Sequence, residues 1–214
     1  MDLFIASVFS NAFHFFEQGG IFMIFLLMLS VAAGTVIILR GTALRQKSVL
    51  PPSIVEEIER LHPGGDLSRL EKLIARHPSA LGHVAATVLK HLNWPRAETI
   101  EAVQTRARHE VARLEGGLAF LEIATGISPL LGLLGTLSGL VVIFGGVGSD
   151  PAIVARGIAE ALNCTIVGLG ISVPCLIFHN HFQRRIELMS VEMESLISDL
   201  VAKSYPQGSA SALR

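Results

Sequence analysis

The chain has 214 residues, of which 50% are apolar and only 16% are charged, whereas about a quarter of the residues of an average soluble domain are charged. Its 17 basic and 18 acidic residues give a net charge of −1, so the basic footprint of a nucleic-acid-binding protein is missing. No Lys or Arg precedes Arg40, and residues 123–149 carry no formal charge. Such an uncharged run excludes a solvated loop or surface helix.

Three stretches are apolar and long enough to cross a membrane as helices. A bilayer core of about 30 Å requires about 20 apolar helical residues. The predicted transmembrane helices cover residues 19–40, 118–145 and 153–182. The first is not a cleavable signal, because no basic segment precedes it. The sequence therefore predicts an all-α membrane protein with three transmembrane helices.

The distribution of basic residues predicts the orientation of these helices. Short loops rich in Lys and Arg stay in the cytoplasm, and such residues follow the first and third predicted spans: Arg40, Arg45, Lys47, Arg184 and Arg185. We therefore expect a periplasmic N-terminal segment at 1–18, a periplasmic loop at 146–152 and a cytoplasmic C-terminus. The aromatic-rich segment 1–18 either lies flat in the outer interface or extends the first span.

Residues 41–117 are predicted to form a cytoplasmic helical domain. Ser53 with Glu56, and Ser68 with Glu71, have the spacing of a capping box. Short helices are expected at about 53–62, 67–77 and 79–92.

The second and third spans are each predicted to continue as a helix on the cytoplasmic side. From Pro95, apolar residues recur at steps of three and four, and no proline follows until Pro129. This pattern predicts one continuous helix that passes through Gly116 and Gly117 into the second span. A similar apolar seam extends the third span as a cytoplasmic helix at 183–204, followed by a tail at 205–214 that is expected to be disordered.

No enzyme, cofactor or metal motif is complete in this sequence. His109 and Glu110 begin like a zinc-protease helix, but the second histidine is missing. Ser138 misses the position of the nucleophile in a Gly-x-Ser-x-Gly elbow by one place. Cys164 and Cys175 fit neither a disulfide framework nor a zinc spacing. An enzymatic role is disfavoured, and no cofactor is expected.

Small and hydroxyl-bearing residues share one face of each of the last two predicted spans. They are Thr125, Ser128, Gly132, Thr136 and Gly139 in the second, and Gly157, Cys164, Gly168 and Ser172 in the third, with Asn163 and Thr165 at its edges. Two interpretations stay open, which are close helix packing and the lining of a polar pathway.

Glu160 shares the polar face of the third predicted span. A carboxylate at membrane depth costs about 2.5 to 3.5 kcal/mol and commonly marks an ion path. Glu160 could instead be a structural anchor that is neutral or paired with a neighbouring Thr or Asn. Arg156, one helical turn earlier, could neutralise it.

Two blocks of sequence resemble a known family. Residues 125–136 (TGISPLLGLLGT) resemble the second-span signature of the ExbB/TolQ/MotA proton-channel proteins. Residues 157–162 (GIAEAL) resemble the third-span signature, together with Thr165, Gly168, Leu169, Pro174 and Asn180. Three spans and a modest cytoplasmic domain are most similar to ExbB and TolQ.

The resemblance implies a multi-pass subunit of a bacterial inner-membrane motor driven by the proton gradient. It implies a homopentamer around a pair of single-span partners of the ExbD/TolR type, whose membrane aspartate carries the proton. It also implies a TonB-like or TolA-like transducer that serves outer-membrane transport or envelope maintenance. By resemblance, Thr136 and Thr165 would be pore-facing hydroxyls beside that aspartate, and Glu160 would be the membrane glutamate of the family. The polar faces of the two spans add Asn163, Ser128 and Thr125 to the predicted pathway. Helix packing would involve Gly132, Gly135, Gly139, Gly168, Pro129 and Pro174.

The sequence departs from the family pattern at two places. Leu137 and Ser138 stand where many members have a larger, often aromatic residue, and Asn163 and Cys164 replace small apolar residues. The choice between ExbB and TolQ therefore stays open. Alternatives are a non-conducting membrane scaffold that organises the cytoplasmic helices, or a relative of the flagellar stator MotA. A secondary transporter is disfavoured, since internal repeats are missing.

Overall fold

The computed structural model describes residues 20–145 and 151–205, except for the side chains of Arg156 and Glu160. The predicted periplasmic segment 1–18, most of the predicted loop 146–152 and the tail after residue 205 lie outside the described residues.

Eight helices and no strand are present in the described ranges. They are α1 (Gly20–Ala43), α2 (Gln46–Val49), α3 (Pro52–Arg60), α4 (Ser68–Arg76), α5 (Ala80–Lys90), α6 (Arg96–Glu115), α7 (Leu118–Gly145) and α8 (Pro151–Ser204). Of these, α1, α7 and α8 are long and apolar enough to cross a membrane. The prediction of an all-α protein with three such helices is confirmed.

The chain divides into two compact units. Within the described residues, the first unit, which we call the membrane unit, consists of the residues up to 39 and those between 117 and 181. The second, the helical unit, consists of residues 40–116 and the described residues from 182 onward. Helices α1 and α8 contribute residues to both units. The candidate functional site lies in the membrane unit.

The predicted continuous helix through Gly116 and Gly117 is wrong. Helix α6 ends at Glu115 and α7 begins at Leu118. Gly117 has a φ of 84°, which lies in the left-handed region where glycine is tolerated and other residues are strained. The apolar periodicity continues across this point, but the backbone does not. The two adjacent glycines were the signal for the break.

The three predicted short helices are present, but both predicted capping boxes, at Ser53 and at Ser68, are wrong. Helix α3 begins at Pro52, one residue before Ser53, and has no side-chain cap. At the start of α4, the backbone N–H and the hydroxyl of Ser68 both donate to Asp66. A true side-chain cap occurs at α5, where the Ser79 hydroxyl accepts from the Gly82 N–H at 3.1 Å.

The end of α8 is tied to other helices of the helical unit. The ammonium group of Lys203 donates to the carbonyls of Ile58 and Glu59 at 2.9 and 3.0 Å, which caps the C-terminus of α3. The hydroxyl of Tyr205 donates to the carbonyl of His91 at 2.9 Å. These contacts fix the last turn of α8 by polar bonds.

His109 and Glu110, which begin like a zinc-protease motif, differ in their surroundings. Glu110 is buried, with 4% of its surface exposed, whereas His109 is exposed. Arg106 lies 2.7 Å and His83 lies 3.2 Å from the same carboxylate oxygen of Glu110. The carboxylate of Glu110 is thus paired with Arg106 of its own helix and lies beside His83 of α5.

Candidate functional site

Helices α7 and α8 lie antiparallel in the membrane unit, and polar contacts define their register. Near the end of α7, the Thr136 hydroxyl donates to the carbonyl of Ala161 at 2.9 Å. Near its start, the Leu118 carbonyl lies 3.2 Å from Nδ1 of His179. Rising numbers on α7 thus pair with falling numbers on α8. The register places the two predicted polar faces against each other.

The hydroxyls of Thr136 and Thr165 are 2.6 Å apart at the centre of this interface. Thr136 is 6% exposed and Thr165 is partly buried. The carbonyl of Gly132 is within reach of both hydroxyls, at 3.1 Å from Thr136 and 3.3 Å from Thr165. Because each hydroxyl has one proton and two lone pairs, either threonine can donate to the other while the second donates to a carbonyl. The pair can therefore reverse its hydrogen bond without displacement of a helix.

Two glycines allow the backbones of α7 and α8 to approach closely. A Cβ atom on Gly132 would lie 2.7 Å from the carbonyl oxygen of Cys164, and one on Gly168 would lie 2.5 Å from that of Ser128. Real Cβ atoms essentially never come within 3.0 Å of another heavy atom. Small residues at such positions are typical of helix interfaces in membranes. Here they bring the threonine hydroxyls within hydrogen-bonding distance.

A proline on α7 leaves a carbonyl that α8 then satisfies. Pro129 has no N–H, so the carbonyl of Thr125 lacks its usual donor four residues on. The hydroxyl of Ser172 donates to this carbonyl at 2.7 Å. This inter-helix bond compensates for the proline, as membrane helices require.

The comparison with known proteins agrees with this architecture. The sequence profile of the MotA/TolQ/ExbB proton channel family matches residues 77–195, which include all of α6 and α7 and most of α8. The chain belongs to this family. The resemblance found in the two sequence blocks is thereby confirmed.

Relatives of this MotA/TolQ/ExbB family member carry both ExbB and TolQ names. It is 32% identical over 189 residues to the biopolymer transport protein ExbB-like 1 of Synechocystis sp., covering 84% of this chain and 72% of that protein. It is 29% identical over 185 residues to TolQ of Pseudomonas aeruginosa, covering 78% and 79% respectively. A stretch of 74 residues, 33% of this chain and 30% of the relative, is 39% identical to ExbB of Salmonella typhimurium. The ExbB/TolQ character is confirmed.

The other predicted pathway residues of this family member have different surroundings. Ser128 and Thr125 donate to carbonyls of their own helix, those of Ala124 and Leu121, at 2.7 and 2.9 Å. Asn163 is partly buried on α8. Among the described hydroxyls of the predicted pathway, those of Thr136 and Thr165 therefore bond across the two helices.

The structure describes only the backbone of Glu160, the predicted membrane acid of the family. Glu160 lies on α8 directly before Ala161, whose carbonyl accepts from Thr136. Its side chain, and that of Arg156, lie outside the described part of the structure. The predicted pairing of these two residues accordingly stays a prediction.

Of the remaining residues predicted to pack, two glycines lie in the same interface, whereas Pro174 does not contact it in the described structure. A Cβ atom on Gly135 would lie 2.9 Å from the Cβ of Cys164, and one on Gly139 would lie 2.8 Å from the Cβ of Ala161. Pro174 lies within α8 and is exposed. Helix α1 contributes two buried side chains, Met23 and Leu26, which cluster with Cys164 of α8.

The outer faces of the three long helices are apolar. Val142 on α7 is 75% exposed, Ile38 on α1 is 69% exposed, and Ile166 on α8 is 63% exposed. Isolated soluble domains rarely expose large continuous apolar surfaces. Lipid or neighbouring apolar helices provide the environment that such faces require.

Two polar contacts of the interface were missed by sequence reasoning. Ser172 was noted as a small residue, but not as the donor to Thr125. His179 was not recognised as a hydrogen-bond partner of α7. The spacing of Thr165, Ser172 and His179, which are seven residues apart in turn, was the available signal.

Proposed function

We propose that this chain is a proton-channel subunit of an ExbB/TolQ-like motor in a bacterial inner membrane. In this proposal a homo-oligomeric ring, a pentamer by family resemblance, uses the proton motive force together with an ExbD/TolR-like partner. The motor energises a TonB-like or TolA-like transducer for outer-membrane transport or envelope maintenance. Family membership and the Thr136–Thr165 contact of 2.6 Å support this function, and the contact is the observation that carries it.

The threonine pair provides a proton-conducting chemistry without a titratable group of its own. A carboxylate on a partner helix that approaches Thr165 could accept its hydroxyl proton in a hydrogen bond. Thr136 would then donate to the carbonyl of Ala161, which already lies 2.9 Å away. When the carboxyl is protonated, it can donate to Thr165 instead. In both states each threonine hydroxyl keeps a hydrogen-bond partner. Protonation of the partner's carboxylate reverses its hydrogen bond with Thr165, and this reversal changes the preferred contact between ring and partner.

Glu160 and the orientation of the chain belong to the same proposal. Glu160 is assigned as the membrane glutamate of the family, and its backbone position beside Ala161 supports this assignment. The N-terminus is assigned to the periplasm and the C-terminus to the cytoplasm, because basic residues follow the first and third spans. In this orientation the helical unit is cytoplasmic.

The test removes each hydroxyl of the pair. Thr136→Ala and Thr165→Ala should abolish gradient-dependent activity in cells that produce the chain with its partner, while the oligomer still assembles. Thr136→Ser, which keeps the hydroxyl, should retain activity. Thr35→Ala is a matched control, because in the described part of the chain this hydroxyl on α1 donates to the carbonyl of Val31 in its own helix. Full activity of both alanine variants would refute the proposed pathway.

A non-conducting scaffold is the second candidate function. This function is favoured because these hydroxyls already have hydrogen-bond partners within the chain. Ser128 bonds to its own helix, and the two threonines bond to each other. For a scaffold, Glu160→Gln and the threonine variants should be tolerated. Leucine at Gly132 or Gly168 should still disrupt packing.

A further inference from the structure

Two segments of the helical unit that directly follow predicted membrane spans pack against each other. The first runs from the end of α1 into α2, and the second is the part of α8 after residue 181. A Cβ atom on Gly41 would lie 3.9 Å from the ring of Phe182, which is buried. Further on, the side-chain amide of Gln46 donates to the carboxylate of Glu192 at 3.2 Å. The two segments are therefore in contact along several turns of α8.

Three basic residues border this contact. On α8, Arg185 precedes Glu192 by seven residues, so both side chains leave the helix in nearly the same direction. On the other segment, Arg45 and Lys47 flank Gln46 in sequence and are exposed, whereas Arg185 is half-buried. Because Gln46 contacts Glu192, the cations of the two segments border the same contact. We call these three residues the basic surface.

The charges of the basic surface are not neutralised within the described part of the chain. No carboxylate there lies within 4.0 Å of the charged group of any of the three residues. The two acids of α8 that are closest in sequence have other partners. Glu187 pairs with Arg184 at 3.4 Å, and Glu192 accepts from Gln46. An anionic group from outside the chain can therefore bind to the basic surface without breaking an ion pair.

The basic surface lies at the depth of lipid headgroups. The predicted first and third spans end at residues 40 and 182. Arg45 follows the first of these by five residues and Arg185 follows the second by three, which corresponds to about 8 and 5 Å along a helix. The headgroup layer extends about 5 to 8 Å beyond the hydrocarbon core. Lipid phosphates are therefore the anions that reach both residues.

We propose that the basic surface binds the headgroup of an anionic phospholipid in the adjoining leaflet. A guanidinium can donate to two phosphate oxygens at once, and Arg45 and Arg185 present two such groups from different helices. Lys47 adds a point charge. The binding goes beyond the proposed function, because it requires neither a partner protein nor a proton gradient.

Lipid selectivity of the full-length chain tests this proposal. The chain would be purified in a nonionic detergent and titrated with phosphatidylglycerol or phosphatidylcholine that carry the same fluorescent acyl chain, and anisotropy would give the two affinities. The parent should prefer phosphatidylglycerol at least about tenfold. Arg185→Gln should lower this preference about fivefold, whereas Arg185→Lys, which keeps the charge, should lower it less than about twofold. Equal affinities of the parent for both lipids would overturn the proposal.

A matched pair of double variants separates a local site from an effect of net charge. Arg45→Gln with Lys47→Gln removes two exposed charges of the basic surface and should lower the preference about tenfold. Lys72→Gln with Arg76→Gln removes two exposed charges from α4 and should leave the preference unchanged. Equal losses in the two double variants would refute a local site. Displacement of the lipid by inorganic phosphate at constant ionic strength would show a site for free phosphate and would refute lipid binding.

Discussion

Gly168→Ala tests whether close backbone contact between α7 and α8 holds the threonine pair together. The added Cβ would lie 2.5 Å from the carbonyl oxygen of Ser128, about 0.9 Å closer than the 3.4 Å at which ordinary contact begins. The three nearest atoms, which are the carbonyl oxygen and carbon of Ser128 and the Cα of Gly132, all belong to the backbone, so the helices themselves must separate. A separation of this size would stretch the 2.6 Å contact of Thr136 with Thr165 to about 3.5 Å, beyond the hydrogen-bonding range.

The expected cost of Gly168→Ala is about 2 kcal/mol of unfolding free energy, because overpacking of a tight interface costs about 1 to 3 kcal/mol. Gly170→Ala is the matched control on the same helix. No described atom lies within 4 Å of its added Cβ, and alanine should improve helix stability by up to about 1 kcal/mol.

The assay is equilibrium unfolding of the full chain in bicelles, together with gradient-dependent activity in cells. Gly168→Ala should lower both stability and activity, whereas Gly170→Ala should lower neither. Equal stability of the two variants would show that the glycine contact does not determine the distance between the helices. Loss of stability with full activity would show that the threonine contact is dispensable.

Three further outcomes are expected. Ser172→Ala should lower the unfolding free energy by about 0.6 to 1.7 kcal/mol, and Pro129→Ala in the same chain should recover part of the loss by restoring a backbone donor; an unchanged loss in the double variant would contradict this. Lys203→Met should destabilise the helical unit by about 1 to 2 kcal/mol in thermal unfolding, since two hydrogen bonds from a charged group are lost, whereas the exposed Lys90→Met should stay within about 0.5 kcal/mol. Hydrogen bonds from Ser68 lower the pKa of Asp66 below its ordinary value of 3.8, so this contact should stabilise the start of α4 above that pH and be lost as the pH falls through the lowered pKa. Protection factors from amide exchange at α4 would measure the loss, and in Asp66→Asn the protection there should no longer change with pH in the same range.

Much of the fold could be predicted from the sequence, because membrane helices are governed by length and hydropathy. The three apolar stretches correspond to α1, α7 and α8. The break at Gly117 could not be predicted from periodicity, since apolar spacing does not report the backbone φ. The start of α3 was misplaced because Pro52 can occupy the first helical turn without a side-chain cap.

The candidate site was predictable in its residues but not in its bonds. Thr136 and Thr165 were selected by their position in two sequence blocks, and the structure brings their hydroxyls together. The donation from Ser172 to the carbonyl freed by Pro129 depends on the register between α7 and α8, which a single sequence does not contain. His179 was passed over for the same reason, since its acceptor is a backbone atom far away in the chain.

The contact between Thr136 and Thr165 can form with either oxygen as donor. Such a pair does not favour either direction of proton transfer. Under the proposed function, one-way operation must be imposed by the gradient and the partner. Inverting the proton gradient across sealed vesicles should then reverse the direction of proton flow, so that protons leave the pathway at the end where they normally enter.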